Sequence, residues 1–224
     1  MKNVWWKLLA VILVMYTVLA GFMSEVPRMN ILGESIRNLY FHVGMWFAMI
    51  LMMLTSMIFS IRFLKKSDEI EDIKAIEASK VGFVLGLLGL STGMVWAKYT
   101  WGAWWVNDPK LNGTLISLLI YTAYYVLRSA IEDDTKRARL SAVYNIFAFV
   151  MLIVFVGVLP RMSDSLHPGN GGNPAFGNYD LDSGMKMVFY PAVIGWILLS
   201  TWILQIKIRS RKIEYTLDQK LKEI

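Results

Sequence analysis

The chain contains no cysteine and only two histidines among its 224 residues. The absence of cysteine excludes disulfide bonds, thiolate metal sites, cysteine nucleophiles and covalent thioether attachment of a cofactor. Charge is also scarce, because 18% of the residues are charged whereas 56% are hydrophobic, which is too apolar for an ordinary soluble domain. The sequence lacks a Walker A loop, a GxSxG motif and an HExxH motif. We therefore expect no enzymatic activity, and any ATP dependence must come from a partner.

The hydrophobic residues lie in long runs, each close to the roughly 20 residues that a helix needs to cross a bilayer. Six runs qualify: 4–23, 43–64, 81–98, 114–131, 141–159 and 185–206. We therefore expect an all-α integral membrane protein, a bundle of six transmembrane helices that forms one domain over residues 1–224. The first run also has features of a signal peptide, but Trp5 and Trp6 favour a retained membrane anchor.

The basic residues are distributed unequally between the two sides of such a bundle. With the amino terminus in the cytoplasm, seventeen of the 23 lysines and arginines fall on the cytoplasmic side and six on the outer side. The positive-inside rule thus predicts that both termini are cytoplasmic. The net charge of +6 is explained by membrane orientation, so we expect the bilayer as a partner and no nucleic acid.

Local patterns predict some of the packing and connections. Glycines in the third run should permit close approach of another helix where they are four residues apart. They are Gly82, Gly86, Gly89 and Gly93. An inner loop over 65–80 is expected to hold a short helix capped by Ser67. The apolar residues after Ile208 either extend the sixth helix or dock a partner, and the plain extension is favoured.

The segment WGAWWVNDPK, residues 101–110, concentrates aromatic residues in the second outer loop. The belt of tryptophans that is common at membrane interfaces would by itself account for Trp96 and Trp101. The addition of Trp104 and Trp105 favours a binding surface, because one helical turn would place Trp101 on one face with either of them. A surface of this kind suits a planar apolar ligand.

The two histidines lie on the same predicted side, His42 at the start of the second run and His167 in the third outer loop. Chance placement and ordinary solvation of interfacial histidines are the alternatives to a functional pair. Beside an indole surface, two imidazoles indicate the axial ligands of a haem iron. Because the chain has no cysteine, we expect haem b that is bound without covalent bonds and is able to leave.

Three segments resemble the CcmC family of haem-handling proteins in cytochrome c maturation. WGAWWVNDPKL resembles the tryptophan-rich WWD signature, GESIRNLYFHV resembles the segment that presents the first outer histidine, and LHPG resembles the context of the second. The length, the six spans and the inside position of both termini are also similar to this family. The sequence departs from the usual pattern at Asn107, Gly44 and Lys110, where the family commonly has an aromatic residue, a proline and an arginine.

The resemblance implies a role and a set of residues. Proteins of this family bind haem at the periplasmic face of the bacterial inner membrane and present it to the haem chaperone CcmE, beside CcmA, CcmB and CcmD. By this resemblance, His42 and His167 are the axial ligands, and Arg37 is a basic position that contacts haem or the chaperone. The implied haem platform comprises Trp101, Gly102, Trp104, Trp105 and Asp108.

The expected binding mode follows from the chemistry of haem. Its apolar face should rest on segment 101–105, while its propionates meet Arg37 and Lys110 through charge-assisted hydrogen bonds. Asp108 either caps the following helix or is a plain turn residue before a proline.

The two ligands are expected to differ in mobility. His42 begins a helix, whereas His167 lies in a loop rich in glycine and asparagine. We therefore expect His167 to move when haem passes to the chaperone.

Other classes of function remain open. A permease subunit of an ABC-type haem exporter would need polar or broken helices at mid-membrane, whereas the distinctive residues here lie at the outer edge. A membrane haem redox protein that carries electrons across the bilayer would need a second ligand pair at another depth, and the sequence has no further histidine. A lipid-modifying transferase that uses Asp108 would need no histidine.

Overall fold

The computed structural model describes residues 4–27, 32–167 and 181–222, and the regular structure within these ranges is helical. A 3-10 turn, Gly33–Arg37, leads into α2, and a π-helical stretch, Ile153–Val158, joins α5 to α6. The α-helices in these ranges are α1 Trp5–Met23, α2 Asn38–Lys66, α3 Glu69–Trp101, α4 Pro109–Ser129, α5 Asp134–Leu152, α6 Leu159–Met162 and α7 Ser183–Lys222.

Five segments of the described chain are long and apolar enough to cross a membrane by length and composition. They are Trp5–Met23, Gly33–Lys66, Glu69–Trp101, Asp134–Met162 and Ser183–Leu221. α4 has 21 residues, which is about 31 Å at 1.5 Å per residue, but it carries Lys110, Asn112 and Arg128 and is less apolar. The all-helical prediction is confirmed, and the count of six spans and their orientation stay predictions.

The connection between α2 and α3 is much shorter than the predicted loop over 65–80, because only Ser67 and Asp68 separate the two helices. Ser67 ends α2 in a left-handed conformation, with φ 52°, and does not begin a helix. Asp68 is the residue that caps α3, since its carboxylate accepts a hydrogen bond from the amide of Ile70 at 2.9 Å. An aspartate caps as well as a serine and adds favourable negative charge at a helix N-terminus. The prediction for Ser67 was therefore wrong by one residue.

The glycines of α3 admit neighbouring helices at close range, as expected. A Cβ atom at Gly93 would lie 2.9 Å from Cε1 of His42, and one at Gly89 would lie 2.8 Å from Cε2 of Trp46. The other two glycines face side chains of α2 and α4: Gly82 and Gly86. α2 can therefore bring an imidazole and an indole directly against the backbone of α3.

α5 packs against α2 at one end of the bundle and separates from it at the other. Asn145 of α5 donates hydrogen bonds to the hydroxyls of Ser56 and Ser60 in α2, at 2.7 and 2.8 Å. Beyond α5 the π-helical stretch turns instead toward α4, where a Cβ atom at Gly113 would lie 2.3 Å from the carbonyl oxygen of Phe155. This divergence leaves space beside the N-terminal half of α2.

α7 runs without interruption for 40 residues, from Ser183 to Lys222, so the favoured interpretation of the tail as a plain extension is confirmed. α1 packs along α7, where a Cβ atom at Gly195 would lie 3.1 Å from Cβ of Leu13. Residues 168–180, which hold most of the Gly-rich segment predicted to form the third outer loop, lie outside the described residues.

Candidate functional site

A cavity of about 780 Å³ lies where α2 begins and α3 ends. This volume falls within the roughly 300–1,000 Å³ of sites that bind small molecules and cofactors. Its walls come mainly from apolar and aromatic side chains of α2, α3, α4 and the π-helical stretch. Both His42 and His167 line it. The structure thus brings the chain's two histidines to one site.

His42 reaches the cavity from the second turn of α2, and Thr92 of α3 fixes its ring. Nδ1 of His42 lies 3.0 Å from Oγ1 of Thr92. The single proton of that hydroxyl is shared between the carbonyl oxygens of Leu88 and Gly89, at 2.9 and 3.0 Å, so toward the imidazole the hydroxyl acts as an acceptor. His42 therefore carries its proton on Nδ1 and keeps the lone pair of Nε2 for a ligand.

His167 is held in the same way by a carboxylate. Its Nδ1 lies 2.9 Å from Oδ1 of Asp108, which is 1% exposed. Burial favours the neutral acid, but the hydrogen bonds from His167, the amide of Leu166 and the hydroxyl of Ser165 hold the pKa of Asp108 well below its ordinary value. An ionised carboxylate only accepts hydrogen bonds, so Nδ1 of His167 donates and Nε2 is left for a ligand.

Asp108 also joins two separate parts of the chain. Oδ1 accepts from the amides of Lys110 and Leu111, at 2.8 and 3.4 Å, and so caps α4. Oδ2 accepts from the hydroxyl of Ser165 and the amide of Leu166, both at 2.8 Å. Of the two expectations for Asp108, the helix cap is confirmed. The bond to the second histidine spans 59 residues, and no local pattern in the sequence indicates it.

Two tryptophans enclose the ring of His167. The indole of Trp101 meets it edge-on, with centroids 5.0 Å apart and an interplanar angle of 74°. Trp96 lies 5.0 Å from Trp101 and 6.0 Å from His167. Both indoles line the cavity, as does Trp46. We call Trp46, Trp96 and Trp101 the aromatic wall. Trp96 was missed because an interfacial belt explained it equally well.

The other tryptophans of the WWD segment do not share this face. α3 ends at Trp101, because Gly102 takes a left-handed conformation with φ 80°. Beyond it, Trp104 is 54% exposed, and Nε1 of Trp105 donates to Oδ1 of Asn112 in α4 at 3.2 Å. Neither side chain lines the cavity, and Gly102 only ends the helix. The expected common helical face was wrong, since the helix stops before the second indole.

Of the two cations predicted to contact the haem propionates, one lines the cavity and the other does not. Lys110 lines the cavity. Arg37 does not, because its guanidinium donates to two main-chain carbonyls at the end of α1, 3.0 and 2.6 Å away, and pairs with Glu34. Arg161 of α6 lines the cavity instead. Nothing in its sequence context distinguished it from the other outer basic residues.

Comparison with known proteins gives a consistent result. A family model described as "Heme exporter protein C" (CcmC) matches residues 1–222. A protein named "Heme exporter protein C" from Paracoccus denitrificans is 27% identical over 178 residues, which cover 80% of this chain and 73% of that protein. One of the same name from Rhodobacter capsulatus is 27% identical over 172 residues, 74% of this chain and 68% of that protein.

A shorter similarity extends to a second group. The "Cytochrome c biogenesis protein CcsA" of Prochlorococcus marinus subsp. pastoris is 40% identical over 92 residues, 41% of this chain and 28% of that protein. Because the first family model covers nearly the whole chain, the chain belongs to the CcmC family, heme exporter protein C.

Proposed function

We propose that this protein binds haem b reversibly between His42 and His167 and delivers it to the haem chaperone CcmE during cytochrome c maturation. Membership of the heme exporter protein C family and similarity to a cytochrome c biogenesis protein support haem handling. The observation that carries the proposal is that the two histidines of the chain line one apolar cavity.

The residues present fit a haem. Apolar and aromatic walls suit the porphyrin face, and each imidazole has its Nδ1 engaged, which orients Nε2 as a metal ligand. Two neutral imidazoles are an established axial pair for haem iron. With no cysteine in the chain, no thioether bond holds the haem, so release requires no such bond to be broken.

Separate parts of the site carry separate tasks. Asp108 holds His167 through its carboxylate, and Trp101 restricts the same imidazole from the side. Lys110 and Arg161, which line the cavity, are the cations for the two propionates. Nη1 of Arg161 donates to the carbonyl oxygen of Gly157, which leaves Nη2 and Nε of its planar fork for a two-point contact that a lysine cannot make.

The proposed setting is the bacterial inner membrane, with the cavity on the periplasmic side. The excess of basic residues on the opposite side supports this orientation. α4 also crosses the bilayer, as the fourth of six spans in a single domain, since its 21 residues are long enough and it packs against α3 and α5. CcmA, CcmB and CcmD are the proposed neighbours, and the protein is a carrier of haem rather than an enzyme.

A transfer assay tests the proposal. Protein purified in detergent is loaded with haem and mixed with haem-free CcmE, and transfer is followed by separating the two proteins. We expect wild type to pass haem, and the double variant His42→Ala, His167→Ala to bind and pass little. A variant of the exposed Asp164, Asp164→Asn, is the matched control. Wild type that holds haem without passing it on would contradict delivery, and wild type that holds none would contradict the whole proposal.

A further inference from the structure

We infer that the two axial ligands are unequal: Thr92 is a positioning residue that supports His42, but it supports it less strongly than Asp108 supports His167, so His42 is the weaker ligand. The bond from iron to His42 is then the one that breaks first when haem leaves. This inference rests on the proposed function and extends it to the order of release.

Thr92 is placed to orient the imidazole of His42 as well as to pack against α2. Its hydroxyl is fixed by two carbonyl oxygens of its own helix and accepts from Nδ1 of His42 at 3.0 Å. Its main-chain oxygen accepts from Nδ2 of Asn38, one turn earlier in α2, at 3.4 Å. Next to it, Gly93 leaves the space that the ring occupies. Thr92 therefore contacts α2 at two positions, Asn38 and His42, and sets the orientation of the His42 imidazole.

The partners of the two imidazoles differ in charge. A carboxylate that accepts the Nδ1 proton gives a charge-assisted hydrogen bond, roughly twice as strong as a neutral one. It also raises the basicity of the ligating nitrogen. Asp108 gives this support to His167, whereas the hydroxyl of Thr92 gives His42 a neutral acceptor. His167 is thus the stronger donor to the iron.

The surroundings of the rings add to the difference. His167 is enclosed by Trp96 and Trp101, and the amide beside it, that of Leu166, is bound by the same carboxylate. His42 has a more distant ring contact, with Trp46 at 6.2 Å between centroids. Haem therefore stays on His167, at the loop side of the cavity, after it leaves His42, and the expected movement of His167 during transfer stays a prediction.

The first experiment compares Thr92→Val with Thr92→Ser. Ferric haem-loaded protein is mixed with excess apomyoglobin, and the rate of haem loss is followed by absorbance. Loss of an outer hydrogen-bond partner of a metal ligand typically weakens binding by 10–100-fold. We expect Thr92→Val to lose haem about tenfold faster, at the lower end of that range, with a more positive midpoint potential and a shift toward high-spin haem. Thr92→Ser, which keeps the hydroxyl, should stay close to wild type in all three.

The second experiment tests the inequality directly and does not depend on the threonine variants folding. We expect His42→Ala to retain five-coordinate haem on His167, and His167→Ala to lose haem about tenfold faster than His42→Ala. Equal rates, or faster loss from His42→Ala, would overturn the inference, as would wild-type rate, potential and spectrum in Thr92→Val. If the wild type shows two imidazole ligands, such results would overturn only this inference and leave the proposed function intact. A wild type without that spectrum would instead contradict the proposed function.

Discussion

Replacing Asp108 with asparagine removes the charge that supports His167 and keeps both the size of the side chain and its ability to cap α4. In the structure, Oδ1 accepts from Nδ1 of His167 and from the first amides of α4, while Oδ2 accepts from Ser165 and Leu166. An asparagine has one oxygen and one amino group. Whichever way it turns, the amino group faces hydrogen-bond donors and leaves them without an acceptor.

The size of the effect follows from two independent magnitudes. A buried donor left unsatisfied costs roughly 1–3 kcal/mol. Loss of the partner of a metal-ligating histidine costs roughly 10–100-fold in affinity. The first cost lowers the free energy of unfolding, with and without haem, and the second lowers haem affinity, where each 1.4 kcal/mol corresponds to about a factor of ten. We therefore expect the dissociation constant for ferric haem to rise about 10–100-fold in Asp108→Asn.

The assay is a haem titration of detergent-purified protein, followed by absorbance. Asp164→Asn, an identical change at an exposed aspartate of the third outer loop, is the control and should bind like wild type. Wild-type affinity in Asp108→Asn would refute the role given to this carboxylate. Equal weakening in both variants would mean that the effect is one of general surface charge.

The lowered pKa of Asp108 gives the same comparison a dependence on pH. Burial opposes the shift, and the interactions with His167 outweigh it. A carboxyl group whose pKa falls on folding stabilises the protein above its ordinary value of about 3.9, and this contribution is lost as the pH falls toward the folded value. The difference in Tm between wild type and Asp108→Asn should therefore shrink as the pH falls from about 5 to below about pH 4. A difference that grows on acidification would refute this explanation.

Three further outcomes are expected. Gly93→Ala should displace the imidazole of His42, which would lie 2.9 Å from the added Cβ, and so weaken haem binding. Gly82→Ala on the same helix meets the flexible side chain of a methionine and should bind haem normally, and equal binding by both variants would contradict the packing described for α3. Trp101→Ala should lower haem affinity by about 1–2 kcal/mol, the value of an aromatic contact and some buried area, whereas Trp104→Ala should leave haem titrations unchanged. Because the chain has no cysteine, the single variant Ser67→Cys reports which side of the membrane residue 67 faces. A membrane-impermeant maleimide should label it only after the membrane is opened, and labelling in intact cells would show that the orientation is opposite to the predicted one.

Much of the fold could be predicted because its causes are local. Long apolar runs specify helices of membrane length, and the spacing of Gly89 and Gly93 indicates a face of α3 that another helix approaches. Helix ends were harder to place. α3 begins at Glu69, directly after its cap Asp68, because the polar residues that were expected to form a loop are helical, and it ends at Trp101 because Gly102 takes a left-handed conformation.

The site was less predictable because it depends on contacts between distant residues. The order of the predicted spans placed His42 and His167 on one side of the bundle. Only the fold shows that Thr92 holds the ring of His42 and that Asp108 holds the ring of His167. The direction of a long side chain is also not encoded locally. Arg37 therefore looked as suitable as any cation for a propionate, although it binds the end of α1.

The central claim is that His42 and His167 bind the same iron from one cavity. Absorption and electron paramagnetic resonance spectra of the haem-loaded protein test it most directly, with each histidine replaced singly by alanine. We expect a low-spin spectrum of two imidazole ligands in wild type, and in each variant either high-spin haem or loss of haem. A wild type without the two-imidazole signature, or a single variant that keeps it, would contradict the account.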